Sequence, residues 1–139
     1  MRINCCGIIV FYNDLTILVK NEKNFYSFPK GKREKGETDL ETAYRELKEE
    51  TGIKENEIEL INNKYIDEIS KDSKYISVRY FIGILKNQKK LEFEDPEELL
   101  EASYKTIDDV LSISDDNIKK RRKEIIIEAN DIYKEYKKN

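Results

Sequence analysis

The chain has 139 residues, 40% of them charged, yet 26 Lys and Arg against 29 Asp and Glu leave a formal net charge of only −3. It carries no histidine, which excludes Ser-His and Cys-His nucleophile pairs, histidine-bearing zinc sites and histidine acid–base chemistry. The length fits one domain, residues 1–139, with a core that needs no staple, and the balanced charge argues against a basic nucleic-acid-binding excess across the chain.

Residues Arg2 to Lys20 alternate apolar and β-branched types on either side of Asn13-Asp14 and predict a β-hairpin with a polar turn. Cys5 and Cys6 sit side by side in its first strand, pointing to opposite faces. They make no CxxC site and no disulfide framework, and are expected reduced in a cytoplasmic protein with at least one in the core. Phe25 to Phe28 leads through Pro29 into a polar loop, Lys30 to Glu37, with Gly31 and Gly36. Thr38 followed by Glu41 is a capping box and Gly52 a helix stop, so a helix is expected over Asp39 to Thr51, burying Leu40, Ala43, Tyr44 and Leu47. Ile58 to Ile66 reads as a strand or strand pair. Tyr75 to Leu85 reads as a central strand, with Ile76, Val78, Tyr80, Ile82 and Ile84 on one face and Phe81 and Leu85 on the other, which implies layers on both sides of the sheet. Leu91 to Phe93 is a weak strand candidate, Glu101 to Ile107 a last short strand, and Asp108 to Leu111 a turn of helix. Ser114 is the expected N-cap of a long helix reaching Lys138. No apolar run approaches the roughly 20 residues that span a bilayer.

Glu46, Glu49 and Glu50 stand at i, i+3 and i+4, three carboxylates on one arc of the predicted helix. Like charges at this spacing repel. A hard divalent cation, Mg²⁺ or Mn²⁺, is the economical reason to place them together, because such ions prefer oxygen ligands and share substrate phosphates. Arg45 can hold a carboxylate through its planar fork. Upstream, Lys30, Lys32, Arg33 and Lys35 surround Gly31 in a loop suited to phosphate.

Gly31, Glu37, Arg45, Glu46, Leu47, Glu49, Glu50, Gly52 and Ile53 match, position for position, the signature of the Nudix hydrolases, to which the chain bears a close resemblance in this window. The resemblance implies an α+β fold, an α/β/α sandwich with a mixed sheet between helices. It also implies hydrolysis of a nucleoside diphosphate linked to another group. On the matching positions, Glu46, Glu49 and Glu50 are the expected metal ligands, Glu37 supports them, Arg45 orients a glutamate and Gly31 offers its carbonyl. The base that takes the water proton varies in the family; Glu101 is the candidate here, with Glu97 and Glu98 competing, and Glu46 and Glu49 share the catalytic set. Lys30, Lys32 and Arg33 would face substrate phosphates.

The approach Ser27-Phe28-Pro29-Lys30-Gly31-Lys32 resembles the diadenosine tetraphosphate hydrolases and the messenger-RNA decapping members. A dinucleoside polyphosphate is therefore the first expectation, with capped RNA and diphosphoinositol polyphosphates as alternatives, and a non-catalytic nucleotide-binding module as the alternative of another class. Tyr80 and Tyr104 are candidates for stacking on a base. The run Lys119 to Lys123 reads either as an RNA-phosphate patch or as a solvated helix face.

Overall fold

The computed structural model describes residues 1–139. Asn13 takes a left-handed φ of 51° and turns β1 (Ile3–Tyr12) into β2 (Leu15–Asn21). Asn tolerates that conformation because its short amide bonds locally. The two strands pair only at Phe11 with Thr16 and Tyr12 with Leu15, then diverge, and the Thr16 hydroxyl donates to the Val10 carbonyl (2.8 Å) close to that pairing.

Past the turn, β1 runs parallel to β6 (Ile76–Leu85) from Ile3 to Phe11 and takes β4 (Lys30–Lys32) antiparallel on its other side. β2 pairs with β3 (Tyr26–Ser27) and β7 (Leu99–Thr106), and β5 (Ile58–Ile69) pairs antiparallel with β6. The result is one seven-stranded mixed sheet. From Cys5 to Phe11 every residue of β1 is buried, as a strand covered on both faces must be.

Helix α1 (Asp39–Thr51) covers one face, packing Ala43 and Leu47 against Cys6, Ile8, Val10 and Ile17. Helix α3 (Lys120–Lys137) covers the other with Ile125, Ile126, Ala129 and Tyr133 against Cys5, Ile9, Phe11, Leu18, Val78 and Tyr80. The Phe11 and Tyr133 rings stack at 4.4 Å. Helix α2 (Ile107–Ser112) adds Val110 to that second core. This is the expected mixed sheet between helices. No helix is long and apolar enough to cross a membrane.

Three local expectations change. The Lys30–Glu37 segment begins as strand β4, because β1, having left β2, has a free edge to fill. Leu91 to Phe93 forms no strand; its backbone serves α1 instead. The last helix starts at Lys120, not after Ser114, because the Asn117 carbonyl accepts the Tyr26 N–H (2.8 Å) and Ile118 bridges to Tyr26, which holds that stretch extended.

Candidate active site

Helix α1 is anchored at its start by the expected capping box: Thr38 Oγ1 accepts the Glu41 N–H (3.1 Å) and Glu41 Oε1 accepts the Thr38 N–H (2.9 Å). With that phase set, the stripe through Ala43 and Leu47 faces the sheet. Glu46, Glu49 and Glu50 then come to one side of the helix's second half, beside β4. Gly31 lies there against Glu46: a Cβ at this position would meet the Glu46 carboxylate at 2.1 to 2.4 Å. Glu50 Oε1 accepts the backbone N–H of Lys30 (3.0 Å). Strand β4 is thus seated on the glutamates.

Arg45 ties the remaining parts together. Its guanidinium donates to Glu37 (2.7 and 3.0 Å), to Glu46 (2.8 Å), to Glu49 (3.3 Å) and to the Lys32 carbonyl (2.9 Å). Only a planar five-donor fork reaches all of these at once. The Arg45 hydrogen bond holds the Glu37 carboxyl at about 2, well below its ordinary range. Glu37 in turn accepts from Thr42 Oγ1 and the Glu34 N–H (both 2.8 Å), which closes the loop before the helix.

Opposite the helix glutamates stands a second acidic segment. Glu94, Asp95 and Glu98, with Leu99, enclose with Glu46, Glu49 and Glu50 a cavity of about 250 Å³. Six carboxylates around so small a space cannot all stay ionised cheaply. Burial pushes the Glu50 carboxyl up to about 8, offset in part by the Lys30 amide and reinforced by Glu46. Burial also raises Glu46, against the pull of Arg45. An oxygen-only donor set with strained protonation matches a hard divalent cation in kind. No three acidic side chains converge at coordination distance as they stand, and Arg45 Nη1 lies between Glu46 and Glu49. Glu49, with 41% of its side chain exposed, is the ligand candidate freest to turn.

Several expected site residues fall elsewhere. Glu101 pairs across the sheet with Lys20, on the face opposite α1, where it meets Lys20 (3.3 Å) and Lys105 (3.7 Å) and accepts from Ser103 Oγ (2.8 Å). The register shift between Lys20 and Asn21 sets it on the face opposite Leu99, so that Glu98 and Leu99, not Glu101, line the cavity. Lys30 and Lys32 pair with Gly7 and Cys5, so their side chains also leave β4 on the α3 face, at the edge of the carboxylate site and not inside it. Arg33 is held by Asp39 in an ion pair. Tyr80 is fully buried, its ring edge-on to Phe28 at 5.2 Å, so it cannot stack on a base. Tyr104 is half-buried and spends its hydroxyl on Lys89. The Lys119 to Lys123 run is largely neutralised: Arg122 is buried against Glu68 (3.1 Å), Lys119 approaches the same carboxylate (3.6 Å), and Lys123 meets Asp115 (2.9 Å). Glu94 and Asp95 were not anticipated; the acidic density of Glu92 to Glu98 was the available signal.

Comparison with known proteins bears on this geometry. An RNA pyrophosphohydrolase of Pelagibacter ubique is 46% identical over 59 residues, which cover 40% of this chain and 37% of that protein. A bis(5'-nucleosyl)-tetraphosphatase (asymmetrical) of Mus musculus is 34% identical over 73 residues, 44% of this chain and 50% of that one. These matches span half or less of the relatives' own length. Among solved structures, the binary complex of a C. elegans Ap4A hydrolase superposes with a TM-score of 0.70 at 20% identity, covering 80% of this chain and 86% of that one. A Nudix-family hydrolase from Clostridium perfringens gives 0.72 at 17% identity, covering 93% and 96%. The family profile described as the NUDIX domain matches residues 1–128, a span that includes α1, its glutamates and the acidic segment facing them, and on that match the chain belongs to the Nudix family.

Proposed function

We propose that the chain is a divalent-cation-dependent pyrophosphohydrolase whose first substrate class is the dinucleoside polyphosphates. The observation that carries the reading is the cavity lined by Glu46, Glu49, Glu50 and Glu98. Likeness in name supports it: the Mus musculus relative is a bis(5'-nucleosyl)-tetraphosphatase.

Glu46, Glu49 and Glu50 would hold Mg²⁺ or Mn²⁺, with the Gly31 carbonyl beside them. When bound, such a cation neutralises phosphate charge and acidifies water at the phosphorus. Arg45 keeps Glu46 and Glu49 oriented and is itself fixed by Glu37. Glu98 lines the opposite wall and would take the proton of the attacking water, a task open to a carboxylate. Lys30 and Lys32 offer positive charge to phosphates that extend past the β4 edge. Because attack falls on phosphorus, nothing in this scheme needs a histidine.

A second reading, hydrolysis at an RNA 5' end, draws on the Pelagibacter ubique relative, an RNA pyrophosphohydrolase. The neutralised state of the Lys119 to Lys123 run weighs against a long RNA track on α3. The test is a turnover panel in Mg²⁺ and in Mn²⁺: diadenosine tetraphosphate, 5'-triphosphorylated and capped RNA, diphosphoinositol polyphosphate, ADP-ribose and nucleoside triphosphates. The proposal expects fastest release of nucleoside monophosphate from the dinucleotide. Fastest turnover of an RNA reverses the order of the two readings. Tight binding with no turnover of any substrate makes the chain a binding module instead.

A further inference from the structure

The acidic wall that faces α1 belongs to a segment without regular structure, residues 86–98, and such a segment holds its carboxylates in place only if something fastens it. Two backbone bonds do part of this: the Glu94 N–H donates to the Glu49 carbonyl (2.8 Å) and the Glu92 N–H to the Thr51 carbonyl (2.9 Å). These carbonyls are among the four that a helix end leaves unpaired. Gly52 has φ +80°, and a Cβ there would lie 3.2 Å from the Glu92 carbonyl, so the glycine both ends the helix and lets the segment run against it.

The outer end of the segment is gripped at one residue. The Tyr104 hydroxyl donates to the Lys89 carbonyl (2.6 Å) and accepts the Lys89 N–H (3.2 Å), so a strand side chain stands in for a ladder partner on both sides of one peptide position. Lys89 Nζ then donates to the Gly52 carbonyl (2.9 Å) and to both oxygens of Glu57 (2.9 and 3.2 Å). Its charge lies at the C-terminus of α1, where the helix dipole favours a cation. Leu91, between the grip and the two backbone bonds, packs into the α1-side core.

We propose that Tyr104 and Lys89 are positioning residues: a clasp that fastens segment 86–98 to the end of α1 and thereby holds Glu98 opposite Glu46, Glu49 and Glu50. This deepens the proposed function and rests on it. Neither side chain lines the carboxylate cavity, so any effect on turnover must pass through the segment they hold.

The experiment is a double-mutant cycle on the full chain, reading kcat and KM on diadenosine tetraphosphate with Tyr104→Phe, Glu98→Gln and the pair. Tyr104→Phe keeps the ring in the core and removes only the hydroxyl. The clasp predicts a kcat lower by roughly 10- to 100-fold with KM little changed, and no further loss when the same change is made in the Glu98→Gln background. An equal loss in both backgrounds, or no loss, overturns it. Lys89→Arg, which keeps a donor cation, should retain more activity than Lys89→Met; equal losses count against the lysine's part. Amide exchange at Glu92 and Glu94 gives a readout independent of turnover. Tyr104→Phe should speed exchange there by about tenfold or more while the Leu47 amide stays protected, and unchanged exchange overturns the clasp even in a chain with no activity. If wild type is inert, the proposed function fails; if Glu98→Gln turns over as wild type does, the proposed function stands and Glu98 is not the base; in either case the exchange result alone judges the clasp.

Discussion

At the scale of single residues the site is built from close approaches, and those are what substitution should expose. Gly31 leaves no room for a methyl beside Glu46, so Gly31→Ala should displace that carboxylate and lower kcat by roughly 10²-fold, with weaker Mn²⁺ binding measured by titration. Glu98→Gln should cost about 10²-fold in kcat, whereas Glu101→Gln should stay within about twofold of wild type, because Glu101 faces Lys20 and Lys105 on the other side of the sheet. The gathering of the motif glutamates, Arg45 and Gly31 in one place was legible in the sequence because their spacing is local to one helix and the loop before it. Which of Glu98 and Glu101 lines the cavity was not. It depends on a register shift at the start of β7, where Leu99 pairs with Asn21 and Glu101 with Lys20, which sends Leu99 and Glu101 to opposite faces. Tyr80 misled for a different reason: it faces the α3-side core, where it is completely buried.

At the scale of elements, α1 carries signals at both ends, and the Thr38–Glu41 box and the Gly52 stop could both be read locally. The Thr38–Glu41 box is contiguous in sequence. Thr38→Ala should lower stability by about 1 kcal/mol in a urea titration and leave kcat unchanged, since the cap lies at the end of α1 away from the carboxylate cavity. The other end is completed by Glu92 and Glu94, some forty residues on, a pairing that no periodicity announces. The same limit hid strand β4: Lys30-Gly31-Lys32 has a loop's composition and becomes a strand only because β1 parts from β2 after two residue pairs. The displaced start of α3 has its cause in Tyr26, nearly a hundred residues earlier. Helices and core strands were visible from their own residues; edges and joints were decided by partners far off in sequence.

At the scale of the whole molecule, the proposed function and the stability of the fold pull against each other through Glu50. Its carboxyl goes from an ordinary 4.5 to about 8 on folding, chiefly through burial. A folded-state value above the unfolded one means that this group's contribution to stability is fully present below pH 4.5 and is lost as pH rises through about 8. Glu37, held at about 2, acts in the opposite sense, but only below pH 4.5. Metal-free protein should therefore show a Tm that falls between pH 5 and pH 8, and Mg²⁺ or Mn²⁺ should raise Tm more at pH 8 than at pH 5 as it replaces the proton. Glu50→Gln should flatten that slope and raise the metal-free Tm at pH 8 while abolishing turnover, the pattern of a residue kept for chemistry at a cost to the fold. A Glu50→Gln protein with the wild-type slope would locate the pH dependence elsewhere.

In the proposed function the carboxylate cavity on α1 hydrolyses a pyrophosphate bond with the help of a divalent cation. That reaction is tested most directly by following diadenosine tetraphosphate by chromatography with wild type and with Glu50→Gln, each with Mg²⁺ and with chelator in its place. Wild type should release a nucleoside monophosphate in Mg²⁺ alone, and neither protein should do so under the other conditions. Turnover that survives either the chelator or the loss of Glu50 would contradict it.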